Sequence, residues 1–293
     1  MNAPSTAPPH PAAEFRDDRV CTPRGRLFVR RWGAPPPSSA GAGSRAATPA
    51  EPHPAPIVLF HDSLGCVALW RDFPDTLCRA TGRDVIAYDR LGFGRSDART
   101  GPLPFDFVEE EARTSLPALR AHLGVQRFVA LGHSVGGAMA VHCAAAAPGD
   151  CEALVTIAAQ ATVEERTRQG IREARDQFHA NPGTLDRLAR YHGEAQARWA
   201  LNAWVDTWLH PDFAEWSLES ALARVACPVL ALHGDQDGYG STAQPGRIAQ
   251  WAGGPARVEI LPGAGHVPHR EQPADLATRI ARFLAGPPAG AGR

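Results

Sequence analysis

A chain of 293 residues is long enough for one large α/β domain, or for a core carrying an inserted subdomain. Its 44% apolar content is ordinary for a globular protein. A formal charge of −1, with every basic residue an arginine, excludes a dominant nucleic-acid or acidic-membrane surface. Six scattered cysteines without a CxxC pair read as reduced thiols, mostly in the core, rather than as a disulfide framework.

Residues 1–18 are expected to be a mobile tail. Their start is proline-rich and lacks the charged-then-apolar layout of a signal peptide. No run of about 18 apolar residues occurs, so no membrane helix is expected and the cytoplasm is the default. Val20-Cys21 and Leu27-Phe28-Val29, flanking Thr22-Pro23-Arg24-Gly25, predict an opening β-hairpin. Residues 34–56 collapse into Pro, Ala, Ser and Gly and read as a low-complexity surface loop without chemistry.

A repeating pattern then begins. Short apolar runs at 57–60, 85–88, 128–131 and 154–157 alternate with helical stretches at 67–79, 107–123 and 136–147. Such alternation implies right-handed crossovers and a mostly parallel sheet covered by helices on both faces. From 160 to 224 the alternation stops and only helical patterns follow. It resumes with a strand at 228–232, a helix at 244–252, a strand at 257–261 and a last helix at 272–285. The fold class is therefore α/β, with a core over 19–159 and 225–286. The inserted helical segment 160–224 is expected to form a cap over the sheet edge where open α/β sheets bind ligands.

The third parallel strand ends in Gly132-His133-Ser134-Val135-Gly136 and an Ala-rich helix follows. A strand-to-helix turn this tight forces its central residue into strained φ/ψ, which flanking glycines permit. Ser134 is thereby a candidate nucleophile, set where a helix N-terminus favours developing negative charge. The Val135 amide, directly after it, is a candidate oxyanion donor. A serine hydroxyl also needs a base and a group that orients the base. His266, in the Gly-rich loop Pro262-Gly263-Ala264-Gly265-His266, is the candidate base. Two carboxylates, Asp235 and Asp237, stand in the loop after the 228–232 strand as candidate acids.

The Gly-His-Ser-Val-Gly elbow belongs to a set of four motifs. The others are Asp89-Arg90-Leu91-Gly92-Phe93-Gly94-Arg95-Ser96, Gly234-Asp235-Gln236-Asp237, and Gly265-His266-Val267-Pro268-His269-Arg270-Glu271. Together, in this order, they make the chain resemble the α/β-hydrolase superfamily over about 57–285, the insertion excepted. The resemblance implies that the acid is Asp237, three residues after the glycine. It also implies that the second oxyanion donor is the Ser63 amide, two residues after His61. It further implies a hydrolase that forms an acyl-enzyme without cofactor or metal. In that family an elbow aspartate marks dehalogenases and epoxide hydrolases, so the serine here argues against both.

One position departs from the pattern: Asp62 stands where the family usually has glycine. A carboxylate about 6 Å from an oxyanion would cost ~3 kcal/mol at an effective dielectric near 20. Asp62 is therefore expected to point away and bond within its own loop; the competing expectation is a partly protonated group, or one that recognises a cationic or hydroxylated substrate. In the insertion, Trp204 and Trp208 lie four apart on one helical face. With Leu64, Trp70 and Val267 they are expected to form an apolar substrate site. The expected substrate is a small to medium, largely apolar ester or related acyl compound. Cleavage of a carbon–carbon bond, lactone opening and cofactor-free peroxidation remain open on the same residues, as does a slow-turnover ligand sensor. The sequence assigns no oligomeric state.

Overall fold

The computed structural model of the protein describes residues 13–33 and 54–286. The expected loop 34–56 falls almost wholly outside those residues, as do residues 1–12 of the expected tail. Eight strands form one sheet in the order β1-β2-β4-β3-β5-β6-β7-β8. Strands β1 (Phe15–Thr22) and β2 (Gly25–Trp32) make an antiparallel hairpin, and β2 joins β4 (Val85–Tyr88) antiparallel. From β4 onward all pairings are parallel, through β3 (Ile57–Phe60), β5 (Phe128–His133), β6 (Cys151–Ile157), β7 (Val229–Gly234) and β8 (Ala256–Leu261).

The central strands are buried on both faces, and successive residues serve opposite layers. Val58, Phe60, Ile86, Tyr88, Ala130 and Leu154 join one apolar cluster. Ile57, Leu59, Val85, Ala87, Val129 and Val155 join the other. Helices α2 (Phe107–Glu110), α3 (Leu116–Leu123) and α4 (Val135–Ala146) cover the first layer, and a π turn at Glu111–Ser115 links α2 to α3. Helix α1 (Phe73–Thr81) covers the second through Phe73 and Leu77.

Between β6 and β7 the chain forms α5 (Glu165–Ala180), α6 (Pro182–His192), α7 (Glu194–Trp208), a 3-10 turn at Pro211–Phe213 and α8 (Glu219–Leu222). Glu164, at the entry to this insertion, accepts hydrogen bonds from the Ser241 amide (2.9 Å) and hydroxyl (2.8 Å) and from Arg247 (2.6 Å). Those bonds tie the insertion to the loop after β7 and to the helix that follows it. Helix α9 (Ala243–Trp251) and, after β8, the short α10 (Pro268–Glu271) follow; α11 (Pro273–Leu284) closes the second layer through Leu276 and Ile280.

Two expectations are corrected. Residues 15–18 are not tail but the start of β1. Their charges suit an edge strand; Asp17, for example, pairs with Arg30 at 2.6 Å and Arg95 at 3.0 Å. The expected helix 67–79 is broken into a 3-10 turn at Val67–Trp70 and α1. Pro74 lacks an N–H and is tolerated only in a first turn, so the α-helix has to begin beside it.

Candidate active site

Ser134 sits at φ 54° and ψ −127°, one of three non-glycine residues with positive φ among the described residues. Close packing on both sides makes this turn possible. A Cβ on Gly132 would collide with the Gly136 carbonyl, and one on Gly136 would collide with the Phe60 carbonyl. Glycine is thus required by close approach of backbone, and the serine is lifted to the end of the sheet.

Two loops meet it there. His266 Nε2 lies 3.1 Å from Ser134 Oγ, and His266 Nδ1 donates to Asp237 Oδ2 at 2.8 Å. Asp237 is buried and also accepts the Tyr239 amide at 2.7 Å and the Gly240 amide at 3.2 Å. Burial works to raise its pKa, but the hydrogen bond and charge of His266, with the Tyr239 amide, hold it below the ordinary 3.8. Asp235 is exposed and instead accepts the Gly263 amide at 2.8 Å, which braces the loop carrying His266. Serine, imidazole and carboxylate therefore form one chain that can withdraw a proton from the hydroxyl and keep the imidazole in one tautomer.

The Ser63 amide is oriented through the carbonyl before it. The Asp62 carbonyl oxygen accepts from His61 Nδ1 (2.8 Å), Arg90 Nη2 (2.7 Å) and the Gly65 amide (3.2 Å). His61 Nε2 accepts the Arg90 amide at 3.0 Å, so the ring proton is on Nδ1. In a trans peptide the N–H points opposite the carbonyl. Pinning the Asp62 oxygen thus turns the Ser63 N–H the other way, and Ser63 lines the cavity above Ser134. Neither the Ser63 nor the Val135 amide donates to an acceptor among the described residues. From the insertion, His192 Nδ1 accepts the Gly94 amide (2.7 Å), leaving Nε2–H to donate to the Leu64 carbonyl (3.1 Å). The insertion therefore grips the 61–65 loop directly.

Asp62 turns its carboxylate to the back of the elbow. Its Oδ2 lies 3.4 Å from His133 Nδ1, and its Oδ1 packs against Gly65, where a Cβ would strike it. Burial alone would raise the carboxyl, but the hydrogen bond and charge of His133, with His61 and Arg270, hold it well below the ordinary 3.8. It points away as expected, yet its partner lies on β5 rather than in its own loop. The charges of His133, His61 and Arg270 favour its ionised form over the partly protonated one, while Oδ1 has no hydrogen-bond partner among the described residues. His133 Nε2 in turn donates to the His266 carbonyl at 2.7 Å.

A cavity of about 190 Å³ opens over Ser134 and His266. Leu64, Trp204, Trp208 and Val267 line it, as do Gln160, Thr167, Ile171 and Tyr239, which sequence reasoning missed. Tyr239 stands two residues after Asp237, and that spacing was the only available signal for it. Its ring packs 4.8 Å from the His266 imidazole. Trp70 is a correction. It is 2% exposed and belongs to the second apolar cluster, stacked on Phe73 and tilted against His269 at 4.6 Å. The 3-10 turn directs it beneath the 61–65 loop instead of into the cavity. Among the described residues no three His, Cys, Asp or Glu side chains come together as a metal site, and no helix is long and apolar enough to cross a membrane.

The family model described as alpha/beta hydrolase fold matches residues 55–273. A (lyso)-N-acylphosphatidylethanolamine lipase of Bos taurus is 39% identical over 85 residues, 29% of this chain and 24% of that protein. Lipase LipV of Mycobacterium tuberculosis is 29% identical over 205 residues, 70% of this chain and 66% of that protein. The chain thus spans about a quarter of the mammalian relative and under two thirds of the bacterial one. A solved hydrolase from Pseudomonas aeruginosa superposes with a TM-score of 0.67 at 23% identity, covering 92% of this chain and 98% of its own, a likeness of fold.

Proposed function

The chain belongs to the α/β-hydrolase fold family, and from that premise we propose that it is a serine hydrolase acting on a small to medium, largely apolar ester or related acyl compound. Ser134 Oγ attacks the carbonyl carbon as His266 Nε2 takes its proton. The charge that develops on the carbonyl oxygen is received by the Val135 and Ser63 amides. His266 then gives the proton to the leaving oxygen, the carbon–oxygen bond breaks, and an acyl-Ser134 ester remains. Water repeats the sequence in reverse roles, releasing the acid and restoring the hydroxyl. Asp237 keeps the imidazole oriented and offsets its charge while it is protonated.

The observation that carries this reading is the unbroken chain from Ser134 Oγ through His266 to Asp237, at 3.1 and 2.8 Å. The substrate class rests on the cavity. Its walls are mainly apolar, and at about 190 Å³ it is smaller than the roughly 300–1,000 Å³ of pockets for drug-sized ligands. Steady-state hydrolysis of p-nitrophenyl esters from acetyl to octanoyl tests the proposal. The shorter acyl chains should be turned over, and Ser134→Ala should lower kcat by at least about 10⁴-fold without unfolding the protein. A folded Ser134→Ala protein that keeps most of the rate would contradict it.

A further inference from the structure

The cavity is not uniformly apolar. Two of its lining side chains are polar and almost wholly buried: Gln160 at 3% and Thr167 at 2% exposure. The Gln160 amide makes no hydrogen bond with any described residue, and its oxygen is among the buried polar atoms without a partner. Buried amides are normally paired, and one left unmatched carries a desolvation cost that a ligand can relieve. Thr167 is satisfied in one sense only. Its hydroxyl proton goes to the Tyr239 carbonyl at 2.6 Å, leaving its oxygen lone pairs as acceptors beside the cavity. Gln160 lies three residues past the end of β6, and Thr167 is fixed in the first turns of α5 by its bond to the loop after Asp237.

Resting on the serine-hydrolase reading, we infer that Gln160 and Thr167 form a polar subsite for a hydroxyl on the acyl part of the substrate, so that the favoured substrates are hydroxyacyl esters. A hydroxyl donates to the Thr167 oxygen and accepts from the Gln160 amide nitrogen, and turning that amide about its last torsion lets its oxygen accept instead. A hydrocarbon chain of the same length leaves both groups unmatched. An ammonium would satisfy the acceptors but cannot accept from the Gln160 amide nitrogen; Asp62 also lines the cavity, with its Oδ2 turned to His133 at 3.4 Å. The apolar wall of Ile171, Trp204 and Trp208 accommodates the rest of the chain.

The test compares kcat/KM for p-nitrophenyl hexanoate with its 2-, 3- and 4-hydroxy derivatives, in the wild type, Gln160→Met and Thr167→Val. Labelling of Ser134 by a fluorophosphonate is followed in each. At least one hydroxylated ester should exceed the parent by roughly tenfold or more. That ratio should fall toward one in both variants while labelling persists. Labelling without selectivity at any position, or selectivity retained in both variants, overturns the subsite and leaves the hydrolase reading standing. Absence of labelling in the wild type removes the reaction and this substrate with it. Where one variant fails to fold, the other carries the comparison, and a wild-type ratio near one overturns the subsite without either.

Discussion

Two aspartate–histidine pairs flank Ser134, one on each side of the elbow, and they differ in what the second ring nitrogen faces. In front, Asp237 holds His266 Nδ1 at 2.8 Å, and Nε2 meets the serine hydroxyl at 3.1 Å. Behind, Asp62 faces His133 Nδ1 at 3.4 Å, and Nε2 is spent on the His266 carbonyl at 2.7 Å. Both carboxyls are held below the ordinary range by their histidines. The same two side chains therefore suit proton transfer in one place and bracing in the other. A hydroxyl can exchange a proton with an imidazole; a backbone carbonyl can only accept a hydrogen bond. The back pair also links three pieces of the site: the 61–65 loop, the elbow strand and the loop of His266. It bears on the conflict of a carboxylate beside an oxyanion site: Asp62 Oδ2 is turned to His133, and Oδ1 packs against Gly65.

Substitutions should separate the two pairs. The largest effect falls in front: His266→Ala should lower kcat by about 10⁴-fold or more, and Asp237→Asn by about 10⁴-fold through loss of the correct tautomer. Both should leave KM for a p-nitrophenyl ester within a few fold. Equal losses for Asp62→Asn and Asp237→Asn would break the distinction. The back pair is expected to act on structure first. Asp62→Asn and His133→Asn should each lower unfolding free energy by ~1–3 kcal/mol, since each leaves a buried partner unmatched. They should reduce kcat only by about 10- to 100-fold, as loop placement loosens. Chemical denaturation beside steady-state kinetics checks both numbers.

The smallest effect is in pH. A carboxyl whose folded pKa lies below its unfolded value of 3.8 stabilises the fold above that value and loses the contribution as pH falls toward the folded pKa. The stability gap between wild type and Asp62→Asn should thus be full near neutrality and narrow below about pH 4. Denaturant midpoints measured at pH 7 and pH 3 would show it. A gap independent of pH would mean that Asp62 is not ionised in the folded state.

The sequence announced the front pair and concealed the back one for physical reasons. A nucleophile turn must satisfy tight backbone sterics, so glycines at 132 and 136 mark it, and Gly-rich loops mark the position of His266. Motif order then offers His266 with Asp235 or Asp237, and the resemblance to the family singles out Asp237. The Asp62–His133 contact joins residues far apart in the chain and leaves no periodic trace. The strands read correctly because short apolar runs between turn residues fit a sheet buried on both faces. The hairpin of β1 and β2 was legible, but the first half of β1, residues 15–18, escaped because an edge strand can be charged. Trp70 was misplaced because composition gives the size of a ring but not the direction in which a 3-10 turn points it. Gln160 and Thr167 were missed for the complementary reason: polar residues in helical or loop context look solvated until the insertion folds over them.

The most direct test of the central claim is intact mass after incubation with a fluorophosphonate, beside Ser134→Ala and Asp62→Asn. One adduct is expected on the wild type, none on Ser134→Ala, and one, formed more slowly, on Asp62→Asn. No adduct on folded wild-type protein, or an adduct that survives in Ser134→Ala, would contradict the claim.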